Sequence, residues 1–473
     1  MIHFGFAKVT IYSYLRTENK KKEKVNTKSA AELGTKPIGR LLAQYAIPSI
    51  VAMMASSLLN IIDRVFIGQF CGPLAISGLA ITLPLMNLTT AFGAMVGVGA
   101  STLISVSLGQ KDYKKTRRIL GNAVTLNLIV GIVVGVISLV FLNAILQAFG
   151  ASENTIGYAR DYMVVIMAGN VFSHMYFGLN AVLRAVGHPR TAMATTLTAI
   201  GMNAILDFLF IYVFDCGIRG AAVATVVSQM VALVWQMKIL TNPNELVHLC
   251  RGTFRLSTRL VQRMLGIGLS PFLMHLAACT VVIFLNKGLE HYSGDMAVGA
   301  YGIANSIALL FAMIVFGFNQ GMQPIVGFNY GAKNYGRVKE ILTKTIFCAT
   351  VVTTLSFVVA LVCPELVVRI FTTDEELISL GAKSYRIMVI AFPIVGFQMV
   401  TTNFFQSVGM AGMSIFLSLT RQLLFLLPCI LVLPLFFGAD GVLASIPVSD
   451  CVSSILASYF LYRQMKHLKI EMS

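Results

Sequence analysis

Residues 109–120 read GQKDYKKTRRIL and residues 331–342 read GAKNYGRVKEIL, two near-copies displaced by 222 positions (109 to 331). Each is a short basic loop between long apolar runs. Arg184-Ala185-Val186-Gly187 matches Gln406-Ser407-Val408-Gly409 at the same displacement. Gly217-Ile218-Arg219-Gly220 matches Gly438-Ala439-Asp440-Gly441 (217 to 438), and Pro48 and Asp63-Arg64 match Pro271 and Asn286-Lys287 (48 to 271). Matches that keep their order and spacing mark an internal duplication.

Outward from those loops, the chain is a series of apolar runs of about the 20 residues needed to cross a bilayer. It has 473 residues, 56% hydrophobic and 12% charged, against about 25% charged in soluble proteins; the mean hydropathy is +0.79. The runs lack period-two alternation, so helices rather than a barrel are expected. Twelve spans fall near 41–67, 77–108, 119–147, 159–183, 191–214, 217–239, 264–286, 298–327, 341–370, 383–408, 413–437 and 440–461. Six spans per repeat is an even number, so both repeats enter the bilayer in one orientation. The expected fold is an all-α polytopic membrane protein of twelve transmembrane helices, in two parallel six-helix lobes related by a pseudo-twofold axis. Its parts are a cytoplasmic tail over 1–36, lobes over 37–240 and 264–463, a cytoplasmic linker over 241–263 and a tail over 464–473.

The net charge of +16 sits in loops and tails. Lys111, Lys114, Lys115, Arg117 and Arg118 follow the second span; Arg251, Arg255, Arg259 and Arg263 lie in the long linker; Lys333, Arg337 and Lys339 follow the eighth. The connections 148–158 and 371–382 lean acidic. By the positive-inside rule both termini face the cytoplasm. That placement points to topology and contact with membrane lipid, not to nucleic acid. The eight cysteines form no CxxC pair and mostly lie in spans, so they read as small apolar residues rather than metal ligands or a disulfide frame. No cleavable signal is expected, since no clear apolar core with a cleavage site precedes Lys20, Lys21, Lys22 and Lys24.

Two carboxylates stand out. Asp63 lies in SSLLNIIDRVFIGQF and Asp207 in ATTLTAIGMNAILDFLFIYVF, and neither has a counterpart in the second repeat. An ionisable group inside a span marks a proton or ion path by default. Duplication also builds channels and scaffolds, but duplication with acids inside spans is the pattern of a transporter.

NIIDRVFIG, RAVGHPR, NAILDFLFIY, GIRGAAVAT and NQGMQPIVGFNYGAK occur in that order. Together they give a chain that resembles the multidrug and toxic compound extrusion (MATE) family, most closely its DinF-like branch, over nearly everything from Pro37 to Arg463. The resemblance implies two six-helix lobes and export of organic cations in exchange for Na⁺ or H⁺, with no other cofactor. It also implies a cation site in the first lobe, whose matching positions are Asp63, Asn203, Asp207 and Thr225. Another branch places a Glu in the seventh span; this chain has Cys279 in that region and no acid in the span, which favours coupling in the first lobe.

The residues support such a site on their own terms. Asn203 and Asp207 are four apart and share a helix face. By helix rise, Asp63 lies about 6 Å below the outer end of its span, Asp207 about 10 Å and Thr225 about 12 Å. Two carboxylates, an amide and a hydroxyl suit a hard cation, or a proton. Bland readings stand beside this: Asp63 can pair with Arg64, Asn203 can join helices, and Thr225 can bond its own backbone.

Asp450 and Arg421 fall at similar depth on sequential antiparallel spans, where a structural ion pair is favoured over a transport role. Gln320 and Gln323 precede Pro324 and either line the cavity or satisfy a bend there. His174 and His275 read as packed, hydrogen-bonded groups. No GxxxxGK[ST] loop is present, so an ion gradient rather than ATP is the expected drive. Both lobes lie in one chain, so a monomer is expected, in the cell's inner (plasma) membrane, acting on small organic substrates. Two other functions compete with this one. A flippase for lipid-linked oligosaccharide favours a basic cavity, and interior Arg and Lys are scarce except Arg421. An intramembrane enzyme needs a cluster such as HExxH, GxSxG or paired Asp on facing helices; the first two are absent, and the Asp63–Asp207 pair alone keeps that reading open.

Overall fold

The computed structural model describes residues 32–71, 73–250 and 252–472, without the side chains of residues 60–65, 68, 69, 73, 295 and 468–472. Most of the N-terminal tail, Arg251 and the side chain of Lys469 therefore lie outside the described residues. The spans are α1 (Ile38–Cys71), α2 (Pro73–Gly109), α3 (Tyr113–Val140), α4 (Ile156–Ala168 with Asn170–Ala185), α5 (Pro189–Val213) and α6 (Gly217–Leu240). The second set is α7 (Thr258–Gly294), α8 (Met296–Gly331), α9 (Tyr335–Val362), α10 (Glu375–Met388 with Phe392–Ser407), α11 (Ala411–Val432) and α12 (Pro434–His467). Among the described residues ten are long and apolar enough to cross a membrane, and up to twelve when each bent pair counts as one. The pairs bend at 59° in α4 and 54° in α10, the same span of each repeat. Gly169 sits at the first bend, and Pro393, which has no N–H to leave unpaired, opens the segment after the second.

Several helices overrun the apolar runs that revealed them. α7 begins at Thr258 and ends at Gly294, where φ is 71° and the chain turns into α8. Polar first and last turns stay helical outside the apolar layer, because backbone hydrogen bonding rather than hydropathy decides helix ends.

The duplication is visible in the backbone. Lys111 and Lys333 both adopt the left-handed region, with φ of 60° and 59°, uncommon for residues other than glycine. Asp112 N–H donates to Ser107 O at 3.0 Å, and Asn334 N–H donates to Asn329 O at 2.8 Å, the same turn in each repeat.

Both described chain ends lie on the face carrying the loops after α2, α4, α6, α8 and α10, here the terminal face. There the lobes interlock. The first turns of α1 (Ile38, Leu41, Leu42, Tyr45, Ala46) share a core with Val315, Met322 and Ile325 of α8 and Ile341 of α9. Leu260 and Met264 of α7 share another with Ala100 and Ile104 of α2 and Ile119 of α3. Each repeat thus starts its first span inside the other repeat's core.

Glycines permit this crossing. A Cβ on Gly99 would lie 1.9 Å from Met264 O, and one on Gly268 would lie 1.8 Å from Met95 O. A Cβ on Gly109 would lie 1.9 Å from Phe328 O and one on Gly331 2.1 Å from Val106 O, two contacts exchanged by the 222-residue displacement. Between α8 and α1, Gly317 meets Ile50 and Gly321 meets Ala46. Within lipid, small residues let backbones approach and gain dispersion contact. These approaches lie within about 20 Å of the terminal face by helix rise, and the Phe92–Phe272 ring contact at 4.7 Å lies above them.

Two straps bind the terminal face. Arg337 donates through Nη2 to Lys36 O at 2.7 Å and Leu33 O at 3.3 Å, and Asn329 Nδ2 donates to Leu33 O at 3.0 Å. On the other side Asn122 Nδ2 donates to Thr253 O and Arg255 O at 3.2 and 3.1 Å and its Oδ1 accepts from Ser257 N–H at 2.8 Å. Arg117 holds Leu246 O at 3.1 Å. His188 Nε2 lies 3.1 Å from Glu245 Oε2, and that hydrogen bond holds the Glu245 carboxyl below its ordinary value.

Candidate functional site

α5 carries Asn203 and Asp207 four residues apart, so both leave the helix on one face. Each is 1% exposed. Neither end of the Asn203 amide has a hydrogen-bond partner among the described residues. An unpaired buried polar group costs about 1–3 kcal/mol. Such a group one turn from a buried carboxylate is what a ligand site contains and a packed core avoids. Directly after Asp207 the helix widens into a π-type turn over Phe208–Val213, a feature that gathers at functional sites.

α1 runs beside α5 and its wide turn. The Phe70 and Tyr212 rings are 5.2 Å apart, and Ile67 shares a buried cluster with Ile211, Ile218 and Ala222. Counted down from that ring pair, Asp63 lies about 10 Å below Phe70 and Asp207 about 8 Å below Tyr212. The two acidic positions therefore fall in one layer on neighbouring helices. The Asp63 side chain lies outside the described residues. Because α1 continues to Cys71 rather than ending at 67, Asp63 is about 12 Å below the helix end, not about 6 Å, deeper than the headgroup pairing with Arg64 requires.

Thr225 of α6 enters the same layer, three residues beyond Ala222 of that cluster. Its Oγ1 donates to Ala221 O at 3.1 Å, so it presents lone pairs while its proton is committed to its own helix. Among the described residues no three of His, Cys, Asp and Glu converge. Carboxylate, amide and hydroxyl oxygens are the donors that hard cations take, so these residues fit Na⁺ as well as a proton.

The second lobe is built differently at the matching positions. Asp207 is replaced by Cys429. Arg421 of α11 and Asp450 of α12 meet at 2.6 Å, Nε to Oδ1, within a seam where Ser270 bonds Ser414 and Ser418 at 2.8 and 3.2 Å. Gln320 and Gln323 both reach across the lobes: Gln323 Nε2 donates to Thr102 Oγ1 at 2.8 Å, and Gln320 Nε2 lies 3.1 Å from Met53 Sδ. His174 is buried between α2 and α3. His275 is exposed instead of packed, since it lies above the Phe92–Phe272 contact, where α7 has left α2.

Asn329, Arg337, Asn122 and Arg117 carry the straps, and the sequence did not single out that role. Their partners across the straps are backbone carbonyls and the Ser257 N–H, which leave no side-chain pattern to read.

The family model for MatE matches residues 48–209 and again 270–431, the same displacement that separates 109 from 331. The multidrug export protein MepA of Staphylococcus haemolyticus is 26% identical over 434 residues, 92% of this chain and 95% of that protein. A crystal structure of MATE in the bent conformation superposes with a TM-score of 0.89 at 22% identity, covering 94% of this chain and 99% of that one. The outward-facing conformation of a multidrug resistance MATE family transporter gives 0.87 at 22% identity, covering 93% and 98%.

Proposed function

The chain belongs to the MatE family, and we propose that it is an antiporter exporting lipophilic, cationic organic molecules in exchange for Na⁺ or H⁺. It is an integral membrane transporter and not an enzyme. It works as a monomer in the plasma membrane with both termini in the cytoplasm, so the interlocked terminal face is the closed cytoplasmic side and the molecule faces outward.

The observation that carries the coupling is the buried Asn203 amide, without a partner among the described residues, one turn from buried Asp207. With the site neutralised by a proton or Na⁺, the carboxylate layer of Asp63 and Asp207 no longer repels itself, and α1, α5 and α6 close on one another. Thr225 and Asn203 supply neutral oxygens to the bound ion. Because α1 is rooted in the second lobe through Leu41, Leu42 and Tyr45, a shift of α1 against α5 is felt across the lobe interface. Ion entry thereby changes the balance between closed and open terminal faces.

One charge falling through 150 mV releases about 3.5 kcal/mol, and a tenfold ion ratio adds about 1.4 kcal/mol. That supports a drug gradient of about a few thousandfold at one-for-one exchange with a neutral drug; a monovalent cation carries its charge outward, the potential cancels, and the tenfold ion ratio alone supports about a tenfold gradient. The test is efflux of a fluorescent lipophilic cation from proteoliposomes under an imposed Na⁺ or pH gradient. Gradient-driven efflux supports the exporter and identifies the ion; no efflux under either gradient by monodisperse protein contradicts it.

A further inference from the structure

Arg421 uses one of its five N–H donors. Nε donates to Asp450 Oδ1 at 2.6 Å, and no hydrogen bond from its two terminal nitrogens is made among the described residues. Arginine–carboxylate pairs are frequently bidentate; this one is not. Asp450 mirrors the imbalance: its side chain is 3% exposed, and Oδ2 has no partner among the described residues.

The carboxylate side of the pair faces the protein interior. Val448, Val452, Ile455 and Tyr459 form the exposed stripe of α12, and Asp450 lies on the opposite face with Ser453, Ser454 and Ala457, all buried. On α11 Phe416, Leu424, Pro428, Leu431 and Val432 are exposed; Arg421 lies one turn beyond Ser418, which bonds α7. The Arg421 side chain is nonetheless 26% exposed. A guanidinium turned to lipid would be expensive, so this exposure opens between the lobes. The helix widens at the same point, over Thr420–Leu426, and Ser449 Oγ donates to Arg421 O at 2.5 Å, fixing the backbone on which the guanidinium is carried.

The repeat gives the strongest reason to separate this pair from the ion site. The first-lobe positions matching Arg421 and Asp450 are Ala199 and Gln229, and the second-lobe positions matching Asn203 and Asp207 are Phe425 and Cys429. Each lobe has acquired a charged site the other lacks. One is acidic and suits cations; the other offers a free guanidinium edge.

We propose that Arg421, held by Asp450, is a substrate-anchoring residue of the second lobe that takes the carboxylate of amphoteric organic molecules. The inference rests on the exporter reading for the identity of the cargo class and goes beyond it in naming a substrate group and its residue. Asp450 competes with that carboxylate for the guanidinium, keeping Arg421 oriented while leaving its terminal nitrogens free.

The probes are rhodamine B, which carries a carboxylate, and its ethyl ester, which has the same cationic ring system without one. Equilibrium binding to purified full-length protein is followed by anisotropy, so the result stands whether or not transport is seen. Wild type binds rhodamine B at least about tenfold more tightly than the ester, a difference of about 1.4 kcal/mol. Arg421→Gln abolishes that preference and leaves ester binding within about twofold, whereas Asp450→Asn, by freeing the guanidinium, tightens rhodamine B binding; these are effects on a charge-assisted contact. Arg421→Lys, a point charge without the planar fork, retains part of the preference. The proposal is overturned if wild type does not prefer the acid, if Arg421→Gln weakens acid and ester alike, or if Asp450→Asn lowers acid binding as Arg421→Gln does, the sign of a purely structural pair. A proteoliposome flux with the ester alone tests the exporter reading separately.

Discussion

Asn203 and Asp207 occupy successive turns of one face of α5, each 1% exposed, and the Asn203 amide is unpaired at both ends among the described residues. A side chain of similar size without polar atoms would pack there at lower free energy. Asn203→Leu is therefore expected to stabilise the folded protein in detergent by about 1–3 kcal/mol while uncoupling transport from the gradient. Thermal unfolding and flux, measured on the same preparation, should move in opposite directions. A destabilised variant would mean that the amide has a structural partner.

The straps are expected to hold the terminal face shut. Arg337→Ala removes contacts to Lys36 O and Leu33 O, worth about 1.5–3 kcal/mol as hydrogen bonds from a charged group. Spin labels at K111C and K333C, in a cysteine-free background, report the separation of two equivalent points on the two lobes. The variant should populate longer distances; an unchanged distribution would remove the strap from the account.

Closure also demands glycine at the crossings. Gly331→Ala places a Cβ 2.1 Å from Val106 O, whereas Gly336→Ala meets nothing within 4 Å. The first should lengthen the same K111C–K333C distance and slow transport by about tenfold or more, as overpacking of about 1–3 kcal/mol implies. The second should behave as wild type.

The linker strap should be sensitive to acid. The His188 hydrogen bond lowers the Glu245 carboxyl from its ordinary 4.5. A depressed carboxylate contributes its stability fully above the unfolded value and loses it as pH falls through the folded one. The stability difference between wild type and Glu245→Gln should thus be constant above pH 4.5 and shrink below it.

The architecture was legible because the basic loops at 109–120 and 331–342 repeat, and Lys111 and Lys333 show that sequence copy as a copied turn. Asp207 was legible because a lone acid in an apolar span has few explanations. The interlock was not: α1 reads as the first helix of the first repeat, yet its opening turns lie in the core of the second. Hydropathy reports that a turn is apolar, not which neighbour covers it. Gln320 and Gln323 likewise reveal polar atoms in a span, but only the crossing of α8 over α1 and α2 shows that they bridge the lobes.

The most direct test of the account is ion movement itself. In proteoliposomes at zero imposed ion gradient, an outward-directed gradient of a lipophilic cation should drive counter-movement of protons or Na⁺, followed with a pH-sensitive dye or radioactive sodium, and Asp207→Asn should abolish it while still binding the cation. Drug-driven ion flux of wild-type magnitude in Asp207→Asn would contradict the first-lobe coupling site.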